Sequence, residues 1–246
     1  MPIIYLSPST QEFNPYVNGG NEELYMNLLA DDMIPYLRAS GIRYVRNTPD
    51  MTAASSIAQS NEGQFDVHLA LHSNAAPPEL AGQLQGSLVF YAEGDYWGQR
   101  LAEILADQLR KIYPYPQLVK AVPTTTLGEV TKTYAPSALI EFAYHDNQED
   151  AQWIKNNLQA IARATVKGLT QYFGLPFISP EPERRGVVQL HWGYLNIRDR
   201  PSLDSKIVGR AHNGQQVRIW GQWQDWYVVQ IGDVLGYAAK QYIREI

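Results

Sequence analysis

The chain of 246 residues is 45% hydrophobic and 18% charged, the composition of a folded protein with one sizeable core and room for a smaller second one, which excludes a disordered chain. Its formal net charge of -5 at pH 7, with no basic stripe to offset phosphate repulsion, excludes a nucleic-acid binder. The absence of cysteine removes disulfides, iron–sulfur clusters and thiolate zinc sites, so any zinc must be held by nitrogen and oxygen donors.

Met1 to Leu6 reads as a short strand rather than a signal peptide, and no stretch reaches the roughly 20 apolar residues that a membrane-spanning helix needs. Residues 1 to 174 alternate short apolar runs with amphipathic stretches, the pattern of an α/β layer protein. Ile3 to Leu6, Ile42 to Val45, Val67 to Leu71, Ser87 to Tyr91 and Ala138 to Phe142 predict strands. Between them Tyr25, Leu29, Met33 and Tyr36 repeat at helical spacing, as do Trp97, Leu101, Ile104 and Gln108, and Pro35 is expected to kink the first of these helices. The longest helix is predicted from Asn147, as N-cap, through Ile154, Leu158, Ile161 and Leu169 to Gly174. A stiff linker with three prolines and four charges then spans residues 176 to 186, and short β-rich runs from Val187 to the end predict a small all-β module. The expected division is residues 1 to 175, 176 to 186 and 187 to 246.

Three positions carry chemistry. His72 is delivered to the end of a buried strand beside the small polar turn Ser73-Asn74-Ala75, as in sites where a strand end presents a metal ligand. A histidine merely hydrogen-bonded at a strand end is the alternative. His68 shares the face of His72, but four strand steps put the two about 13 Å apart, too far to share one metal. Glu141 is isolated in Ala138-Leu-Ile-Glu-Phe-Ala143, where a carboxylate is costly to bury unless it is paired or lies beside a metal; desolvation there raises its pKa and suits it to general acid/base work. Glu22 opens a helix, where by itself it is a charge favouring the helix N-terminus.

Together these positions resemble the zinc-dependent N-acetylmuramoyl-L-alanine amidases. His72-Ser-Asn-Ala75 matches the family's His-x-Asn-Ala strand end; Glu22, Ala30 and Gly41 match its first-helix pattern; Glu141, Tyr144 and Asn147 match the catalytic glutamate with the aromatic and helix-opening asparagine that follow it. The resemblance implies an α/β fold, a sheet flanked by helices, and a peptidoglycan hydrolase that cleaves the amide between N-acetylmuramic acid and L-alanine. Zinc-activated water would attack, with Glu141 as general acid/base, Glu22 and His72 on the metal, and Asn74 at the substrate. One departure stands out. The family follows its first strand with Asp-Pro-Gly-His, the histidine being a zinc ligand, whereas this chain has Ser7-Pro-Ser-Thr10-Gln11. The third corner is left to Gln11, to His145 or to no protein ligand.

The final module resembles bacterial SH3-like domains of cell-wall enzymes, through Tyr194-Leu-Asn-Ile-Arg-Asp-Arg-Pro-Ser202, Gly214, Trp226-Tyr-Val-Val229 and Gly236-Tyr-Ala238. Its aromatics, Trp192, Trp220, Trp223, Trp226 and Tyr227, are too many for so small a core, so some are expected to line an exposed groove. The resemblance implies a monomer acting at the cell wall, as an autolysin or a phage endolysin, on peptidoglycan and not on nucleic acid or membrane. A catalytically silent peptidoglycan-binding protein that has lost its metal site, and an amide hydrolase of free muropeptides, are the competing readings.

Overall fold

The computed structural model describes residues 1–246. Its contacts divide into two compact units, Ile3–Met33 with Tyr44–Tyr172, and Met1–Pro2 with Ile34–Arg43 and Phe173–Ile246. No helix is long and apolar enough to cross a membrane.

The larger unit draws, in chain order, on β1 (Ile3–Pro8), α1 (Glu22–Ala39), β2 (Arg43–Arg46), α2 (Ala53–Glu62), β3 (Val67–Asn74), β4 (Leu88–Ala92), α3 (Tyr96–Arg110), β5 (Lys120–Thr124), α4 (Gly128–Thr131), β6 (Ser137–Tyr144), α5 (Gln148–Asn156) and α6 (Leu158–Phe173), with the end of α1 from Ile34, Arg43 of β2 and Phe173 of α6 counted in the other unit. The sheet order is β2-β1-β3-β6-β4-β5. β1, β3 and β6 run parallel, and β4 is antiparallel to β6 and parallel to β5. Helices on both faces bury the central strands; Val67 to Ser73 is a continuous buried run, as a parallel strand covered on two sides requires.

Several elements depart from the sequence expectation for physical reasons. β5 contains Pro123, which lacks a ladder donor, and the strand accordingly lies at the sheet edge. α2 has no apolar stripe; it packs through small Ser56 and Ser60 and starts at a Thr52–Ser55 capping box. α1 continues through Pro35 to Ala39, and Gly41 takes φ +73° just beyond it, a conformation that L side chains rarely adopt. The single long helix expected after Asn147 is two. Asn147 caps α5, its Oδ1 accepting the Glu149 and Asp150 N–H groups at 3.0 and 3.2 Å, but Asn157 leaves helical geometry at φ -124° and donates its side-chain amide to Trp153 O at 2.8 Å. That side chain competes for a carbonyl near the helix end, and the chain restarts as α6.

The second unit carries β7 (Arg184–Val188), β8 (Tyr194–Arg198), β9 (Ile207–His212), β10 (Gln216–Trp223), β11 (Trp226–Ile231), β12 (Val234–Ala239) and β13 (Ile243–Glu245), an antiparallel sheet ordered β13-β7-β10-β11-β12-β8-β9. Val188, Ile197, Val217, Ile219 and Tyr227 fill its core. The aromatics divide as expected: Tyr227 is buried, whereas Trp192, 88% exposed, joins Tyr194, Trp226 and Tyr242 along an open cleft of about 890 Å³.

Candidate active site

Because β1, β3 and β6 are parallel, their carboxyl ends open on one edge of the sheet and bring Ser7 to Gln11, His72 to Asn74 and Glu141 to His145 together. His72 and Glu141 are register partners on adjacent strands. The segment between β1 and α1 closes the site. Asn21 Oδ1 accepts the Leu24 N–H at 2.8 Å and so caps α1, while the buried Glu22 carboxylate turns inward. A cleft of about 630 Å³, lined by Ser9, Thr10, Gln11, Asn47 and Met51 among others, opens onto His72 and Glu129.

His72 is the centre of a buried polar chain. It donates Nδ1–H to Glu22 Oε1 at 2.8 Å and Nε2–H to Glu129 Oε2 at 2.9 Å. Glu22 also accepts Asn14 Nδ2 at 2.7 Å and the Ser73 N–H at 3.3 Å. The other oxygen of Glu129, Oε1, accepts Ser7 Oγ at 2.5 Å and His68 Nε2 at 3.2 Å, and His68 Nδ1 pairs with Ser60 Oγ at 2.9 Å. Burial alone would favour neutral forms, but these hydrogen bonds outweigh it. Both carboxyls are held below the ordinary range, and His72 is raised well above 6.5, making an imidazolium between two carboxylates.

Glu141 is the opposite case. Its Oε2 is buried with no hydrogen-bond partner, and burial pushes its carboxyl up to about 7, with Glu22 and Glu129 adding to the rise against the opposing pull of His72. A carboxyl with a raised folded-state pKa contributes stability below its unfolded value, and that stability is lost as pH rises through the folded value. Metal-free protein is therefore expected to lose up to about 3 kcal/mol from this group between pH 4.5 and about 7, and Glu141→Gln to lack that component. Denaturant titrations of both proteins in chelator across this range measure the difference. Parallel slopes would contradict it.

The structure brings Glu22, His72 and Gln11 together, while His145 turns its Nδ1 to Ser73. Gln11 Nε2 lies 3.4 Å from His72 Nδ1, and Asn14 Nδ2 donates to Gln11 Oε1 at 3.0 Å. His145 Nδ1 is committed to Ser73, 3.1 Å from Oγ and 2.9 Å from O, and its ring stacks on Tyr16. Asn74 Oδ1 accepts the Ala75 N–H at 2.9 Å and shapes the turn after β3. His68 shares the Glu129 carboxylate with His72, each ring bonded through Nε2 to a different oxygen. Glu129 carries no signal that sequence reasoning picks up unaided; it sits in the one-turn α4, and the only hint is a carboxylate between Leu127 and Val130, both packed against the core.

No group of three or more His, Asp or Glu side chains could hold a metal ion. A divalent cation would therefore have two strong donors, Glu22 and His72, and a neutral third, Gln11, on the Nδ1 side of the imidazole. The orphaned Glu141 Oε2 fits that arrangement, since a buried carboxylate oxygen calls for a cation or a water beside it. The donors suit zinc, though less well than a set with two histidines.

Comparison with known proteins gives a consistent likeness. Residues 11–171 match the family model for N-acetylmuramoyl-L-alanine amidase, and residues 193–244 match that for a bacterial SH3 domain. No curated protein sequence matches. Among solved structures, the N-acetylmuramoyl-L-alanine amidase AmiC2 of Nostoc punctiforme is similar at 16% identity and TM-score 0.61, covering 70% of this chain and 97% of its own. The amidase Ami1 of Mycobacterium smegmatis gives 17%, 0.60, 70% and 97% in the same terms. The catalytic domain of the CD27L endolysin targeting Clostridia difficile gives 21%, 0.56, 70% and 97%. At such identities these structures share the fold.

Proposed function

The chain belongs to the N-acetylmuramoyl-L-alanine amidase family and carries a bacterial SH3 domain, and from that premise we propose that it is a zinc-dependent peptidoglycan hydrolase, cutting the amide between N-acetylmuramic acid and L-alanine. Residues 1–175 form the catalytic part in this reading, 176–186 the linker, and 187–246 the wall-binding part, whose aromatic cleft offers stacking faces to the wall polymer. The protein acts on the cell wall as a monomer, in the manner of an autolysin or endolysin.

The observation that supports this reading most is Glu141, a carboxyl with a pKa of about 7 and a buried, unpartnered oxygen beside the Glu22–His72 pair. Ionised, it takes the proton of the attacking water; protonated, it delivers that proton to the leaving alanine nitrogen, and a carboxyl raised by burial is suited to both half-steps. Glu22, His72 and Gln11 would hold the metal, which supplies Lewis-acid polarisation of the scissile carbonyl and lowers the pKa of water. Asn14 orients both Glu22 and Gln11 through one amide group. Asn74, at the end of β3, contacts the substrate.

Purified protein supplied with zinc should free L-alanine amino termini from peptidoglycan. A protein that sediments with walls but frees none would instead be a catalytically silent peptidoglycan-binding protein. The third corner has its own test. Gln11→His is expected to tighten zinc about tenfold or more, because imidazole nitrogen is a better zinc donor than an amide oxygen. His145→Ala should leave the affinity unchanged, because Nδ1 of that ring is turned to Ser73 and not to His72 or Glu22. Competition with a chromophoric chelator reads both, and the opposite pattern would move the ligand to His145.

A further inference from the structure

We propose that Glu129 is a positioning residue of this site. It fixes the His72 ring through Nε2–H and so turns Nδ1, whose proton goes to Glu22, toward Glu22 and Gln11, where a divalent cation would take the place of that proton. That a cation binds there, and that it is zinc, rests on the amidase reading.

A carboxylate with a side chain 6% exposed is expensive to bury, and nothing in the packing of α4 requires one. Its backbone is nonetheless fixed. Val130 packs against Ala70 and Leu139, and its carbonyl accepts Ser137 Oγ at 3.1 Å. The two carboxylate oxygens serve different donors, since Oε1 takes Ser7 and His68 while Oε2 takes His72 alone. His68 is itself held by Ser60 and by stacking on Tyr5, with ring centroids 5.2 Å apart. The line Ser60–His68–Glu129–His72 therefore rests on α2, β3 and α4, all outside the irregular segment that carries Gln11.

An imidazole ring that can turn over about its last torsion presents either nitrogen. A carboxylate bonded to one N–H fixes both the ring orientation and the tautomer, and it makes the other nitrogen a better donor. Glu129 supplies that bond to a site poor in strong ligands, where a misaligned histidine has the largest effect.

The test compares the full-length parent with Glu129→Gln and Ser7→Ala. Glu129→Gln keeps the shape and removes the charge. Zinc affinity, read by chelator competition, should fall about 10- to 100-fold, and proton–nitrogen spectra of the His72 ring should lose the exchange-protected Nε2–H signal of the parent. Ser7→Ala removes one donor from Oε1 and should shift both readouts less, in the same direction. Parental affinity and parental ring signals in Glu129→Gln would overturn the proposal; if that variant does not fold, the same result in Ser7→Ala would do so. A parent that takes up no zinc refutes the proposed metal site, and the ring spectrum, recorded without metal, then decides the role of Glu129 by itself.

Discussion

Glu141→Gln is expected to lower the hydrolysis of purified peptidoglycan by about 10²- to 10⁴-fold, the ordinary share of a general acid/base in catalysis. The amide is nearly isosteric and meets an environment that already favours the neutral carboxyl, so folding and zinc content should stay close to the parent. The parent's rate should rise with pH as the carboxyl ionises and then level off, at a pH below the value burial alone gives the metal-free group, because a neighbouring cation favours the carboxylate. In the variant that rise disappears. Release of alanine amino termini measured across pH, alongside atomic emission for zinc, separates a lost proton-transfer group from a lost metal. A variant as active as the parent would remove Glu141 from the mechanism.

His72→Ala combines two losses. It removes the imidazole that pairs with Glu22 and Glu129, leaving two buried carboxylates near a third carboxyl, Glu141. Breaking a buried pair on one side costs about 3–5 kcal/mol, because the remaining charge is uncompensated. It also takes away one of only two strong zinc donors, so zinc uptake should fall to background. The destabilisation has a sign in pH: it should be large near pH 7 and shrink toward pH 4, where the stranded carboxyls take up protons. Denaturant unfolding at the two pH values checks this, and equal stability of parent and variant at pH 7 would show that the His72 bonds contribute little.

The parts of this site that are legible in the sequence are those where a polar residue interrupts an apolar strand. His72 and Glu141 stand out because each is a polar residue set among apolar neighbours, and parallel pairing makes them register partners. The asparagine cap of α5 and the glycine after α6 follow from local backbone chemistry in the same way. Glu129 lacks such a frame. A helix of one turn has no period to read, and the partners of Glu129 lie 122, 61 and 57 positions away at Ser7, His68 and His72. The third ligand position is open in the sequence for a similar reason. Gln11 and His145 are both close in sequence to site residues, and only the path of the intervening chain places one amide near Nδ1 and turns the imidazole toward Ser73.

His72 and Glu141 are carried by neighbouring central strands, whereas Gln11 and Asn14 belong to the irregular stretch between β1 and α1. Local opening costs less free energy in irregular segments than in a buried sheet. On warming, the neutral corner of the site therefore loosens while both strands stay paired. A cation held there, as proposed above, would be released before the fold is lost, and cooling would restore the site without refolding the core.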